Sequence, residues 1–329
     1  MSAPFRTPLT VPARDTGAGP EILALGEPLV EFSADSDGAL EDAVRFTLGY
    51  GGDTSNMAIA ASRSGARTGY LTRVGGDAFG ALLLDLWTRN GIDISGVIQE
   101  PDGDTGLYFI TRHAGEGHRF TYRRAGSAAA RLTPADVPEE ALARARLLHV
   151  SGITQAVSSS ACDAALHAMR TARAAGTLVS YDPNHRPALW PLERARATAL
   201  HSASLADIVL PNLEEGRLLT GEESPEAVAE CFARRGPAVV ALKMGAEGVL
   251  LSERGRLTRI PAHRVRAVDA TGAGDTFDGA FAARLLAGDT AGDAARYAVV
   301  AAALTTTGHG AVAPIPDRKA VEEARSAAA

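Results

Sequence analysis

The stretch DATGAGDTFD, residues 269–278, places three small residues and an aspartate at the start of a helical pattern. Phenylalanine and leucine recur near one face of residues 276–287, which predicts a helix there. Backbone N–H groups in the first turn of a helix have no intrahelical acceptor, and glycine lets an anion approach them closely. The turn is therefore suited to hold a phosphoryl group, with Asp275 beside it to accept a proton from a hydroxyl. The three small residues are Gly272, Ala273 and Gly274.

A purely structural explanation of Asp275 competes with this one. Aspartate at the start of a helix often accepts hydrogen bonds from the backbone, an arrangement worth about 1 kcal/mol. From this stretch alone, a helix cap and a phosphoryl-transfer site are both open.

Short apolar runs alternate with alanine-rich helical patterns from Glu21 onward. The runs predict buried strands, and the patterns between them predict helices. This alternation predicts an α/β fold whose parallel sheet carries helices on both faces and binds ligands beyond the carboxyl ends of its strands. The predicted strands are 22–25, 68–74, 147–152, 177–182, 207–212 and 238–245, and the predicted helices are 54–64, 79–90, 158–175, 193–203 and 225–235.

Two segments, at about 28–50 and 103–131, alternate polar and apolar residues without helical spacing. They predict a small antiparallel sheet inserted into the α/β body in two pieces that meet in space. Edge hairpins of the main sheet are the alternative.

Composition narrows the class of partner. The formal net charge is −6 and the basic residues are scattered, which argues against a nucleic-acid or anionic-membrane surface. Two cysteines without metal-binding spacing, and no apolar run of membrane-span or signal-peptide length, favour a cytoplasmic protein acting on a small molecule. Residues 1–20, rich in proline, threonine and glycine, predict a disordered tail.

A second glycine-rich stretch, residues 49–80, carries Gly52 before a predicted helix and Asn56 in the first turn of that helix. Together with residues 269–278 it resembles the two signatures of the PfkB, or ribokinase-like, family of carbohydrate kinases. The resemblance runs from about Gly26 to Gly310. It implies a three-layer, doubly wound, mainly parallel sheet in one kinase domain over 21–329. The inserted strands would form a lid over the sugar and often a contact between the subunits of a homo-oligomer.

The resemblance also implies roles for individual residues. Asp275 matches the catalytic base of the family, and Gly272, Ala273 and Gly274 match its anion hole. Two further stretches, NLEE at 212–215 and KMGAEG at 243–248, match elements that bind ATP. The implied nucleotide contacts are Asn184, Asn212, Lys243, Gly245, Gly248, Gly272 and Gly274.

Metal ions are implied by the same resemblance. Glu215 would organise the water shell of Mg²⁺, although an acid at this position of NLEE is equally typical of a helix N-terminus. Potassium is a candidate second cation, with Asp269 and the carbonyls of residues 305–310 as its candidate ligands.

Three stretches, at 105–112, 120–132 and 180–190, resemble those of 2-keto-3-deoxygluconate kinases and imply a sugar acid as substrate. A guanidinium binds a carboxylate through two charge-assisted hydrogen bonds, and a neutral sugar has no carboxylate to accept them. The alternatives are a kinase for a neutral sugar such as fructose or ribose, and a non-catalytic regulator that binds sugar and nucleotide. The implied substrate contacts are Gly52, Asn56, Tyr108, Tyr122, Arg123, Arg186 and Asp275.

Overall fold

The structure, a computed structural model, describes residues 9–14, 16–113 and 117–327. Within these residues thirteen strands form two β-sheets. The strands are β1 (Ile22–Leu25), β2 (Leu29–Asp37), β3 (Phe46–Gly51), β4 (Thr68–Gly75), β5 (Val97–Glu100), β6 (Leu107–His113), β7 (Gly117–Arg123), β8 (Leu147–Ser151), β9 (Leu178–Asp182), β10 (Ile208–Val209), β11 (Val239–Lys243), β12 (Val249–Glu253) and β13 (Arg256–Ile260).

Eleven α-helices lie in the same described ranges, and none of them is long and apolar enough to cross a membrane. They are α1 (Asp53–Arg63), α2 (Ala78–Arg89), α3 (Glu139–Arg144), α4 (Gly152–Val157), α5 (Ser159–Ala174), α6 (Leu192–Leu205), α7 (Leu213–Thr220), α8 (Pro225–Ala233), α9 (Ala273–Leu286), α10 (Ala291–Thr305) and α11 (Arg318–Ala327).

Aliphatic runs form the central sheet, because a strand covered on both faces has no polar side. β1 and β8 are buried at every position. The strand order is β13-β12-β11-β10-β9-β8-β1-β4-β5, parallel from β5 to β11 with an antiparallel edge formed by β12 and β13. One apolar cluster joins the sheet to α1, α2, α9 and α10, and a second joins its other face to α3, α5, α6 and α8. The predicted three-layer, doubly wound, mainly parallel α/β fold is confirmed.

The second sheet, called the lid sheet below, is built from the two inserted segments. β2 and β3 form one antiparallel hairpin, and β6 and β7 form another. The hairpins meet through β2 and β6, which pair parallel, so the strand order is β3-β2-β6-β7. The prediction of two meeting pieces is confirmed, and the prediction of a wholly antiparallel sheet is wrong. In the chain, β2 follows β1 and β6 follows β5, and β1 and β5 run in the same direction in the central sheet. The two lid strands that follow them therefore also run in the same direction.

Part of the predicted disordered tail, residues 9–14 and 16–20, is described by the structure and differs from that prediction. Arg14 donates to the Ala143 carbonyl at 2.6 Å and to Thr177 Oγ1 at 2.7 Å. A guanidinium is well placed at the end of α3, because carbonyl groups there lack intrahelical donors. Arg14 therefore attaches this part of the chain to the domain. Residues 1–8 and 15 lie outside the described residues.

Helices α1 and α9 approach closely at Gly279. A Cβ added at Gly279 would lie 2.2 Å from the Met57 carbonyl oxygen and 2.8 Å from Ala60 Cβ. The missing side chain thus sets the spacing of two helices whose first turns carry Asn56 and Asp275.

Replacing Gly279 by alanine is expected to lower the free energy of unfolding by about 1–3 kcal/mol, because the added methyl overpacks this contact. Urea denaturation measures the change. Gly292→Ala in α10 is the matched control, since its added Cβ would meet the flexible end of Arg296 at 3.4 Å and Thr290 Oγ1 at 3.8 Å, an ordinary contact distance. Alanine favours a helix over glycine, so the control should gain up to about 1 kcal/mol. Equal stability of the two variants would contradict the packing argument.

Candidate active site

A cavity of about 830 Å³, called the acceptor cleft below, opens between the carboxyl ends of the central strands and the lid sheet. Its position follows the rule that doubly wound sheets bind ligands at this edge. Most of the predicted site residues line it. They are Gly52, Asn56, Tyr108, Tyr122, Asn184, Arg186, Asn212, Lys243, Gly245, Asp269, Gly272, Gly274 and Asp275.

The turn before Asp275 has the geometry of an anion site. Helix α9 begins at Ala273, three residues earlier than predicted, which places Asp275 in its first turn. Gly272 has φ +76°, and a Cβ there would lie 2.7 Å from the Ala311 carbonyl oxygen, so only glycine fits without strain. The Ala273 N–H donates to the carbonyl of Ala270, a residue before the start of α9, at 3.2 Å. Within the described chain, the N–H groups of Gly274 and Asp275 have no such acceptor.

The Asp275 carboxyl is held by α1. Its Oδ2 accepts a hydrogen bond from Asn56 Nδ2 at 2.8 Å. Burial and the nearby carboxylate of Asp53 raise the pKa of Asp275 to about 7, against the lowering effect of Asn56. Asp275 is therefore close to half ionised near neutral pH, which suits a general base.

Asp53 is a site residue that the sequence interpretation missed. Its Oδ2 accepts from Asn184 Nδ2 at 2.7 Å and from Ser151 Oγ, while Oδ1 accepts from the Thr54 N–H at 2.8 Å. Asn184, predicted to contact the nucleotide, thus lies against Asp53 in the acceptor cleft. The available signal was the acid placed directly after the glycines, in the same helical turn as Asn56.

We expect kcat/KM to fall as the pH drops below about 7, because the base must be ionised to accept a proton and the pKa of Asp275 is raised to about 7. Asp53→Asn removes a charge that raises this pKa, so its pH–rate profile should shift to lower pH. Asp293→Asn, in an exposed helix cap, is the control and should leave the profile unchanged. An unshifted profile in Asp53→Asn would show that Asp53 does not tune the base.

Aromatic rings of the lid sheet form the roof of the acceptor cleft. Tyr108 and Tyr122 face each other across β6 and β7 with ring centroids 5.7 Å apart. The guanidinium of Arg124 lies 5.2 Å from the Tyr122 ring centroid and is paired with the buried carboxylate of Glu27. Burial lowers the pKa of Arg124 to about 10, so it remains charged at neutral pH.

The placement of Arg123 corrects the sequence interpretation. Successive side chains of a strand point to opposite faces, so Tyr122 and Arg124 share the face toward the cleft while Arg123 points away. Arg123 is exposed, donates to the Tyr122 carbonyl at 3.1 Å and borders a separate groove beside Asp77. Arg124 takes the place of Arg123 in the acceptor cleft. The alternation of side chains along a strand, applied to Tyr122, would have predicted this from the sequence.

Arg186 lies on the opposite wall of the acceptor cleft. It follows the Asp182-Pro183-Asn184 turn at the end of β9 and is exposed. Its guanidinium donates only at 3.3 Å to the His185 carbonyl among the contacts of the described residues. This charge is therefore available to an anionic ligand.

A second cavity of about 630 Å³, called the apolar cleft below, adjoins the first. Its lining includes Gly248, Phe277 and Val299. The two clefts share Lys243, Gly245, Ala270 and Gly274. A group passed between ligands in the two clefts would cross at the start of α9.

Lys243 is partly buried between two carboxyl groups at this crossing. Its Nζ lies 2.9 Å from Asp182 Oδ2 and 2.9 Å from Asp278 Oδ1. Burial raises the pKa of Asp182, but the Lys243 ammonium lowers it, and the net result is a pKa below the usual value. Burial and the neighbouring Asp182 carboxylate raise the pKa of Asp278 well above its usual range. Asp182 and Asp278 were not predicted as site residues.

Glu215 forms the cap of α7 in the structure. Its two carboxyl oxygens accept from the N–H groups of Asn212 at 2.7 Å and His185 at 2.6 Å. Burial and the nearby Asp182 raise the pKa of Glu215 to about 7. Within the described ranges, no group of three or more histidine, cysteine or acidic residues could hold a metal ion. The role of Glu215 toward Mg²⁺ stays a prediction.

Asp269 organises the loop before α9. Its Oδ1 accepts from the Thr271 N–H at 2.9 Å, and its Oδ2 accepts from the Gly310 N–H at 2.9 Å. These contacts join the two segments that were predicted to supply ligands for a monovalent cation. Cation binding there stays a prediction.

Comparisons with known proteins agree with this geometry. The model of the pfkB family carbohydrate kinases matches residues 20–318. The 2-dehydro-3-deoxygluconokinase of Bacillus subtilis (strain 168) is 35% identical over 305 residues, which cover 91% of this chain and 93% of the relative. Fructokinase-1 of Oryza sativa subsp. japonica is 33% identical over 305 residues, covering 90% and 94%. The structure of a Vibrio cholerae O395 fructokinase with fructose, ADP and calcium ion is similar with a TM-score of 0.83, at 26% identity over 93% of this chain and 99% of that one.

These matches extend over almost the whole described chain, well beyond the two glycine-rich stretches. They confirm the ribokinase-like fold and an enzyme of the sugar kinase class. With a family model that spans both sheets and both clefts, the chain belongs to the pfkB family of carbohydrate kinases.

Proposed function

We propose that the protein transfers the γ-phosphoryl group of ATP to the 6-hydroxyl of 2-keto-3-deoxygluconate, giving the 6-phosphate and ADP. The observation that carries the choice of a sugar acid is the placement of Arg124 and Arg186 in the same cleft as Asp275. A guanidinium donates two parallel charge-assisted hydrogen bonds to a carboxylate. The likeness to a 2-dehydro-3-deoxygluconokinase supports the same choice.

Asp275 and Asn56 would orient the attacking hydroxyl. Asn56 is 3% exposed, and its Oδ1 is buried without a hydrogen-bond partner among the described residues. A buried acceptor left unpaired is costly, so a sugar hydroxyl donating to it would be favoured. The loose transition state of phosphoryl transfer asks for little proton transfer until late, and positioning by Asp275 therefore matters more than its basicity.

The apolar cleft fits the base of ATP, and the start of α9 fits its phosphates. Val299, Ala302 and Phe277 give the cleft an apolar wall suited to a purine ring. The N–H groups of Gly274 and Asp275 and the positive end of the α9 dipole face the crossing between the clefts. Mg²⁺ commonly keeps several waters and binds mainly through substrate phosphates, so the phosphates of ATP would be its principal ligands.

A panel of purified acceptors tests the proposal. ADP release would be followed with 2-keto-3-deoxygluconate, gluconate, fructose and ribose at fixed ATP and Mg²⁺. We expect the keto-deoxy acid to give the highest kcat/KM. A higher value for fructose or ribose would favour a neutral-sugar kinase, the alternative that the fructose-bound relative supports. Sugar binding without ADP release from any acceptor would favour a non-catalytic regulator.

Three finer predictions accompany the proposal. The lid sheet exposes Leu48 at 43%, which supports a homo-oligomer formed through that sheet. Sedimentation of the purified protein tests this prediction. Activation by K⁺ near Asp269 and a cytoplasmic location are the other two.

A further inference from the structure

Three ionisable side chains, two of them buried and one partly buried, converge at the crossing of the two clefts from three separate elements. Lys243 ends β11, Asp182 ends β9, and Asp278 lies in the second turn of α9. Their side chains are 12%, 6% and 1% exposed. Asp278 lines neither cleft, so it reaches a ligand only through its neighbours.

We propose that Asp278 is a positioning residue for phosphoryl transfer: together with Asp182, it holds the Lys243 ammonium against the start of α9, where the ammonium neutralises charge on the transferred group.

The position of the ammonium supports this role. A Cβ added at Gly274 would lie 3.6 Å from Lys243 Nζ, so the ammonium is directly beside the turn whose N–H groups lack acceptors. Lysine is a compact charge on a flexible stem, and one carboxylate would leave it free to swing. Contacts at 2.9 Å from Asp182 and at 2.9 and 3.1 Å from the two oxygens of Asp278 hold it from both sides.

The charge balance of the cluster also favours the proposal. Burial and the nearby Asp182 carboxylate raise the pKa of Asp278, while the Lys243 ammonium lowers that of Asp182. Two carboxyl groups that share a proton carry about one negative charge, which matches one ammonium without adding repulsion toward a phosphate. A buried ion cluster adds little to stability compared with apolar side chains of the same size. Its location beside the phosphoryl-transfer turn indicates a functional reason for it.

The proposal is tested with Asp278→Asn, which keeps the shape of the side chain and removes the carboxyl group that contacts the Lys243 ammonium. The acceptor is the best sugar of the panel, so failure of the sugar-acid proposal does not affect this test. We expect kcat to fall about tenfold with the KM of the sugar changed less than threefold. The affinity for ADP alone, measured by calorimetry, should be unchanged. The affinity for ADP with aluminium fluoride and sugar, which imitates the transferring group, should weaken about tenfold.

A double variant separates positioning from general damage. If Asp278 acts through Lys243, adding Asp278→Asn to Lys243→Met should cause no further loss of kcat. The same double variant, compared with Lys243→Met, decides the question if Asp278→Asn alone does not fold, because it removes the ammonium together with the carboxyl group that holds it. Additive losses would overturn the proposal.

Asp289→Asn is the matched control on the other end of α9. Asp289 pairs with Arg284 at 2.8 Å, and both side chains are partly buried. This control should lower Tm and leave kcat and the aluminium fluoride complex unchanged. The same pattern in Asp278→Asn would overturn the proposal, since it would show that Asp278 contributes to stability alone.

Discussion

Asp275→Ala is expected to lower kcat by about 10²- to 10⁴-fold while the affinity for ATP stays within a few-fold. The carboxyl is held at 2.8 Å from Asn56 Nδ2 in the acceptor cleft, beside the unpaired N–H groups at the start of α9. Losing it removes the group that orients the attacking hydroxyl. The nucleotide contacts proposed for the apolar cleft do not involve this side chain. Steady-state kinetics and calorimetry with ATP measure the two effects separately.

The chain offers a matched control for this prediction. Ala291-Gly292-Asp293 begins α10 as Ala273-Gly274-Asp275 begins α9. Asp293 is exposed, and its Oδ2 accepts a hydrogen bond at 2.7 Å from the Oγ1 of Thr290, the N-cap residue of α10. Asp293→Ala should therefore cost about 1 kcal/mol of stability and leave kcat unchanged. If Asp275→Ala showed only this behaviour, the cap explanation of Asp275 would be correct and its catalytic role would be wrong.

The order of strands and helices was predictable from the sequence because buried parallel strands and amphipathic helices have distinct patterns. The start of α9 was placed three residues late, since glycine and alanine carry no apolar signal. The parallel pairing of β2 and β6 was missed because local alternation does not encode the relative direction of distant hairpins.

The site residues divide in the same way. The site residues within a glycine-rich signature, such as Asn56 and Asp275, were predictable because the motif fixes their distance from the glycines in the sequence. The cluster of Asp182, Lys243 and Asp278 joins three segments, and nothing in a single segment marks their meeting. Arg124 was the exception, because strand alternation alone would have separated it from Arg123.

The acceptor cleft is rich in carboxyl groups, which makes its cations decisive for an anionic substrate. Asp53, Asp182 and Asp275 all border it. Among the cations described there, Lys243 is held by two carboxyl groups and Arg124 by Glu27. Arg186 has no carboxylate within salt-bridge distance among the described residues, and its guanidinium is therefore available to pair with an anionic substrate.

Arg186→Ala should for this reason lower kcat/KM for a sugar acid by about 10²-fold. A charge-assisted pair contributes up to about 3 kcal/mol, and about 1.4 kcal/mol corresponds to a factor of ten. The loss for a neutral sugar should stay below about threefold. Acceptor kinetics with 2-keto-3-deoxygluconate and fructose measure both, and the ratio of the two kcat/KM values is the deciding quantity.

Arg123→Ala is the control for this comparison, because Arg123 is also an exposed arginine but points away from the cleft. It should leave the ratio unchanged. Arg124 needs a paired variant, since removing it alone leaves the buried Glu27 without its partner. Arg124→Gln with Glu27→Gln should lower the ratio in the same direction as Arg186→Ala. If Arg186→Ala reduced activity toward both sugars equally, the arginine would bind a feature common to them. The proposal that Arg186 binds the substrate carboxylate would then be wrong.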